Sequence, residues 1–208
     1  YENLKTVIVG RCSHRKFTEE PVSRETIEQL VDCARSAPSG HNLQPWRFVA
    51  VTNREVIKRM AEAVETALQT VLPSLPEETA KKLEDFRFFM THFKAAPLVF
   101  VVLIKESDYL TARVSRDYGV PRPPEEMIDI SLPAVGAAIQ NLLLAAHALG
   151  LGACWMTEPI TFAREEIEAL VQAGEGYTAV SIVAAGWPTK ERKGPEKKEV
   201  GEILRIIG

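Results

Sequence analysis

The stretch "SLPAVGAAIQNLLLAAHALGLGACW", Ser131 to Trp155, constrains the fold more than any other. Apart from Gln140, Asn141 and His147 it is apolar, with glycines near its ends. A helix that is apolar on nearly every face must be enclosed by other elements or by lipid. The polar interruptions, and the lack of basic flanks that would anchor a span, favour a buried helix running into a buried strand. The chain has 208 residues, enough to surround such a helix with one core.

The surrounding segments supply the layers. Ser23 to Ala37 carries Ile27, Leu30, Val31 and Ala34 at helical spacing, with Ser23 placed to cap and Pro38-Ser39-Gly40 to stop it. "WRFVAVT" (46–52) is β-branched and aromatic and predicts a strand. Asn53 opens a helix to about Leu72, which Pro73 and Pro76 end. Helix 77–94, strand 97–104, strand 152–156, helix 161–173 and strand 177–187 follow. This pattern predicts an α+β fold, a mixed central sheet covered by helices, organised as one domain over 1–208. Which strands run parallel does not follow from the pattern. Segment 105–126 mixes charge, tyrosine and proline without a period and reads as a lid or excursion. The tail 188–208 is a charged, extended arm, yet Val200, Ile203, Leu204, Ile206 and Ile207 require a surface on this subunit or another.

A net charge of −3 excludes a broad basic field, and with it nucleic acid or an anionic membrane surface as the main partner. Three scattered cysteines (Cys12, Cys33, Cys154) fit neither a disulfide framework nor a zinc site, and the four histidines form no ligand pattern. The sequence shows no leader, so the cytoplasm is expected.

Against that acidic balance, "RCSHRKF" (11–17) concentrates Arg11, Arg15 and Lys16. In an extended segment Arg11, Ser13 and Arg15 point the same way. Guanidinium forks and a hydroxyl on one side suit a phosphate; a solvated basic loop suits the same residues equally well. "APSGHNLQPW" (37–46) places the amides of Asn42 and Gln44 on a tight turn, which suits a flat heterocycle with alternating donors and acceptors. An ordinary helix-to-strand loop is the alternative.

"RCSHRKF", "APSGHNLQPWRFVAV", "AIQNLLLAAHALGLGACWM" and "GWP" with a basic tail, in this order, resemble the FMN-dependent nitroreductase family over nearly the whole chain. The most specific element is Pro-Ser-x-x-Asn-x-Gln-Pro-Trp. The resemblance implies a homodimer with FMN at the subunit interface, the C-terminal arm being exchanged. It implies that Arg11 and Ser13 hold the phosphate and ribityl end, and that Arg15 lies near the pyrimidine edge. Pro38, Ser39 and Asn42 would reach the flavin from the other subunit, with Gln44 as a brace. Trp155, Met156, Thr157 and Glu158 would lie against the central ring, and Arg192 or Lys193 would close on the phosphate. NADH or NADPH would deliver hydride to flavin N5, and a nitroaromatic, quinone or other electron-poor acceptor would remove it at the same face. The chemistry then rests on the flavin, with no side chain needed as catalyst. Reductive dehalogenation, flavin destruction, deazaflavin-linked reduction, or a non-enzymatic carrier or sensor use the same fold and cofactor.

The chain departs from the family pattern in three places. Cys12 stands where an arginine is frequent, leaving its backbone to meet phosphate. Gly40-His41 replaces small polar residues, with His41 assigned to the dimer seam. Met156-Thr157-Glu158-Pro159 replaces a glycine-containing turn. Phe86, Phe88, Phe89 and Phe93 are expected in the core, and Tyr109 and Tyr118 at the pocket mouth. Arg11→Ala should remove a charge-assisted bond of roughly 1.5–3 kcal/mol and weaken FMN binding about ten- to a hundredfold. A fluorescence titration matching wild type would make Arg11 a surface cation.

Overall fold

Leu98–Lys105 (β2) is the strand around which the layers pack, and every residue from Leu98 to Leu103 is fully buried. A run of apolar residues without alternation can be satisfied only if both faces of the strand are covered. The structure, a computed structural model, describes residues 1–105 and 131–208. In it β2 pairs antiparallel with β1 (Trp46–Val51), Trp46 facing Ile104 and Val51 facing Val99. On its other side β2 pairs antiparallel with β4 (Tyr177–Gly186), with a register shift between Val102 and Leu103. β3 (Gly152–Met156) completes the order β1-β2-β4-β3, also antiparallel. The parallel component is an isolated bridge between Ser13 and Ala153.

The strand period divides β2 between two cores. Val99, Val101 and Leu103 meet α3 (Arg54–Val71), the end of α4 (Glu77–Thr91) and α6 (Glu158–Val171). Leu98, Phe100, Val102 and Ile104 meet α2 (Arg24–Arg35) and α5 (Ser131–Ala148). Local chemistry sets the helix starts. Ser23 Oγ accepts from the Thr26 N–H at 3.1 Å, and Asn53 Oδ1 accepts from Glu55 and Val56 N–H at 3.0 and 3.3 Å. Among these helices α5 is long and apolar enough to cross a membrane. Here its Val135, Ile139, Leu142 and Ala146 pack against Leu30, Ala34 and the sheet, as the apolar run 131–155 predicts.

Three differences from the sequence reading are visible. The N-terminal segment forms a helix, α1 (Glu2–Gly10), which caps poorly and buries no residue. The helix expected from Thr161 starts at Glu158, because Pro159 fits a first turn where its missing N–H is not needed. The tail is not wholly extended: Val200–Ile203 (α7) forms one turn with a Glu199/Glu202 capping box. Its apolar residues Val200, Ile203, Leu204, Ile206 and Ile207 are all more than half exposed. The proposed lid, beyond Lys105, lies outside the described residues, as do Tyr109 and Tyr118.

The segment after α1 runs as a strap along the edge of β3 and past the end of β4. The His14 N–H donates to the Ala153 carbonyl at 3.0 Å, Thr18 N–H to Trp187 O at 2.8 Å, and Thr189 N–H to Lys16 O at 3.3 Å. Gly152 permits the close approach, since a Cβ there would sit 2.6 Å from His14 Cβ. Gly152→Ala should therefore overpack this junction by about 1–3 kcal/mol. At about 2–4 °C per kcal/mol for a chain of this size, a lower Tm should be visible by differential scanning calorimetry. An unchanged melting curve would mean that the strap can move aside freely.

Candidate functional site

Alternation along the strap sorts its side chains. Cys12 and His14 are buried, whereas Arg11, Ser13 and Arg15 are half-buried on the other side, and the alternation ends at Phe17, which is buried. The tail of the same chain folds over this segment. The Cys12 thiol donates to the Arg192 carbonyl at 3.4 Å, and Cys12 Sγ also lies 3.4 Å from His14 Nε2. Arg192 Nη1 donates to the Ser13 carbonyl at 3.5 Å. A Cβ on Gly194 would touch Cys12 Cβ at 3.5 Å, so the tail lies close against the strap.

Between strap, tail and α4 is a cavity of about 370 Å³. Arg15, Lys16, Lys190 and Arg192 line it together with the rings of Phe88 and Phe89, and among the described residues no carboxylate lines it. The Arg15 guanidinium lies over the Phe89 ring, 5.3 Å from its centroid. Its Nε is buried and has no hydrogen-bond partner among the described residues. Two neighbours stay neutral. Burial, then the charges of Arg192 and His147, hold His14 below the usual histidine range. Burial pushes the Cys154 thiol up, against the opposing pull of Arg15. Four cations facing one space, with no counter-charge among the described residues, form a receptor for an anion, and the phenylalanine rings add an apolar wall suited to a flat partner.

The other predicted residues lie elsewhere. The loop 38–44 turns through Gly40–Asn42, with His41, Asn42 and Gln44 at φ of 51°, 54° and 47°. These left-handed values are unusual for side-chain-bearing residues and cost energy that the loop must recover. The Gln44 N–H donates to Ser39 Oγ at 3.0 Å, and Gln44 Nε2 donates to Asn42 O and Oδ1 at 3.4 and 3.3 Å. Pro38, Ser39, Asn42 and Gln44 do not line the cavity of their own chain. At the end of β3, Met156 is buried while Trp155 is 41% exposed, its ring edge close to Gly136 of α5. The Thr157 N–H donates to Glu158 Oε2 at 3.2 Å. Of the two tail cations, Arg192 lines the cavity and Lys193 does not.

The sequence reading did not name Lys190, Thr189 or His14 as lining residues, nor His92 beside them. Only Phe93 of the four phenylalanines takes the expected core position. Phe86, Phe88 and Phe89 are each at least 40% exposed, and Phe89 stacks on Phe86 at 5.0 Å. The signal was in "FRFF": neighbours on a helix diverge by 100°, so these rings cannot all face one core.

This geometry has relatives. The sequence model of the Nitroreductase family matches residues 8–187. The chain is 28% identical over 205 residues to 5,6-dimethylbenzimidazole synthase of Rhodospirillum rubrum, spanning 96% of this chain and 89% of that protein. A BluB-like flavoprotein from Clostridium difficile 630 superposes with TM-score 0.87 and 30% identity, over 99% of both chains. An iodotyrosine deiodinase, solved bound to FMN and 3-iodo-L-tyrosine, superposes with TM-score 0.72 and 26% identity, again over 99% of both chains. With the family model matched over residues 8–187 of its 208, the chain belongs to the nitroreductase family.

Proposed function

We propose that the protein is an FMN-dependent NAD(P)H oxidoreductase for nitroaromatic, quinone or similar electron-poor acceptors, working as a homodimer. The observation that carries this reading is the cation-rich cavity, lined by no carboxylate among the described residues, with the Arg15 guanidinium over the Phe89 ring. An anionic group attached to a flat ring fits that donor set. Arg192, which lines the cavity, with Arg11 and Ser13, which do not, would hold the phosphate end, with Lys193 nearby and the Cys12 backbone available. Arg15 would face the pyrimidine edge, and Trp155 to Glu158 the central ring. Pro38, Ser39 and Asn42, with Gln44 bracing Asn42, would come from the second protomer. The exposed apolar residues of the arm favour such a partner, because each stays more than half exposed among the described residues.

When bound, FMN supplies the two-electron chemistry, a hydride taken from NAD(P)H and passed to the acceptor. The protein supplies placement and field. Arg15 keeps its charge unquenched by any ion pair among the described residues, so it favours negative charge developing beside it. Phe88 and Phe89 limit water on one wall.

The BluB-like structure and the dimethylbenzimidazole synthase relative favour a second reading, in which the same fold and FMN serve another reaction, such as flavin destruction. The deiodinase likeness supports reductive dehalogenation in the same way. Anaerobic addition of NADH or NADPH to the yellow protein should bleach the flavin band. Steady-state assays with a nitroaromatic should then give the parallel double-reciprocal lines of alternation at one site. Bleaching without turnover of nitroaromatics or quinones would favour the second reading. A flavin that neither nicotinamide bleaches would leave a carrier or sensor.

A further inference from the structure

His92 follows α4 directly and opens the 3-10 turn His92–Ala95. It is 3% exposed, and although the Phe88 and Phe89 carbonyls lie close enough to act on the imidazole, neither ring nitrogen makes a well-aligned hydrogen bond among the described residues. Its ring lies 5.5 Å from that of Phe88, tilted by 32°. Phe88 and Phe89 are walls of the cavity, and Phe89 carries the Arg15 guanidinium, whose Nε is also buried without a partner. One helical turn therefore holds both the support of Arg15 and a buried imidazole behind it. Burying an imidazole whose nitrogens find only poorly aligned backbone carbonyls is unfavourable, and packing alone would be better served by a hydrocarbon ring at this position.

We propose that His92 takes up a proton in step with two-electron reduction at the neighbouring site, acting through the charge of Arg15 and touching neither cofactor nor substrate. This rests on the FMN reading above. Burial first, and then the Arg15 charge, keep His92 below the usual histidine range; the Phe88 and Phe89 carbonyls and Glu158 pull the other way and lose. Among the described residues the charges that act on it are those of Arg15, from the strap, and Glu158, from the start of α6. Charges on the neighbouring helices are engaged with other groups: on α3, Glu65 pairs with Lys94 and Arg54 donates to the Ala96 carbonyl, and near the end of α4 Arg87 pairs with Glu84. Cys154 from β3 is a thiol that burial keeps protonated.

Negative charge arriving beyond Arg15 cancels part of the field that disfavours the imidazolium. Two electrons and one proton arrive as hydride from the nicotinamide, which is oxidised. One further proton moves from solvent to a ring nitrogen of His92, and no other bond on the imidazole changes. The sign follows by linkage: His92 binds protons more tightly after reduction, so between its two pKa values reduction consumes an extra proton. The midpoint potential then falls more steeply with pH. For a two-electron couple one extra proton is a tenfold change per pH unit, or about 30 mV.

The test is potentiometric titration of the FMN-loaded protein and its His92→Gln variant across about pH 5 to 8, the range in which histidine titrates. Wild type should show a slope steeper by about 30 mV per pH unit within part of that range, lost in the variant. Parallel slopes throughout would overturn the proposal. The wild-type imidazole followed by NMR decides the matter without the variant. Its pKa should lie below 6.5 in oxidised protein and rise on reduction, and an identical value in both states would overturn the proposal. Protein that retains no FMN overturns the functional reading as well, whereas FMN-loaded protein with parallel slopes overturns this inference alone.

Discussion

β2 and β4, the two inner strands of the sheet, have apolar side chains packed on both faces, which leaves little room for a ligand on the sheet itself. Binding is displaced to the edges, and an open edge needs partners for its backbone groups. At β3 the strap provides one through the His14 N–H and the Ala153 carbonyl. The same pairing imposes the two-residue alternation of an extended chain. Cys12 and His14 turn inward, and Arg11, Ser13 and Arg15 turn outward. Closing the sheet edge and presenting cations are thus one structural event.

The electrostatics follow from where the acids are. The ion pairs among the described residues belong to α2, α3 and α4 and their immediate neighbours, such as Arg24–Glu28 and Lys82–Glu78, and none enters the cavity. Arg15 leans on a phenylalanine ring instead of a carboxylate, so its field is not cancelled at contact distance. His14 and Cys154 stay neutral through burial and do not alter the sum. A net-acidic chain can hold a strongly cationic site in this way, because charge at contact range matters more than total charge.

Much of this was legible in the residues. The caps at Ser23 and Asn53, the unbroken apolar run of β2 and the buried helix at 131–148 rest on neighbours in sequence, and each appears where the pattern puts it. The missed features depend on remote chain. α1 has Leu4, Val7 and Ile8 at helical spacing but buries none of them, so its helix rests on no core contact. Phe89 looked like core because nothing local says that Arg15 will lie across it. Lys190 was one lysine in a charged tail until the Thr189–Lys16 hydrogen bond brought it to the cavity.

Sequence alone determined most of the helices and strands, the family, and which residue types could meet an anion, since periodicity, capping and short motifs act over a few residues. Tertiary structure decided which of those residues meet. Arg192 and not Lys193 lines the cavity, residues of the loop 38–44 do not line it, and His92 lies buried beside the Phe88 ring. The physical reason is that distant segments are joined by burial against a shared sheet, and a chain read residue by residue carries no measure of how those remote surfaces fit.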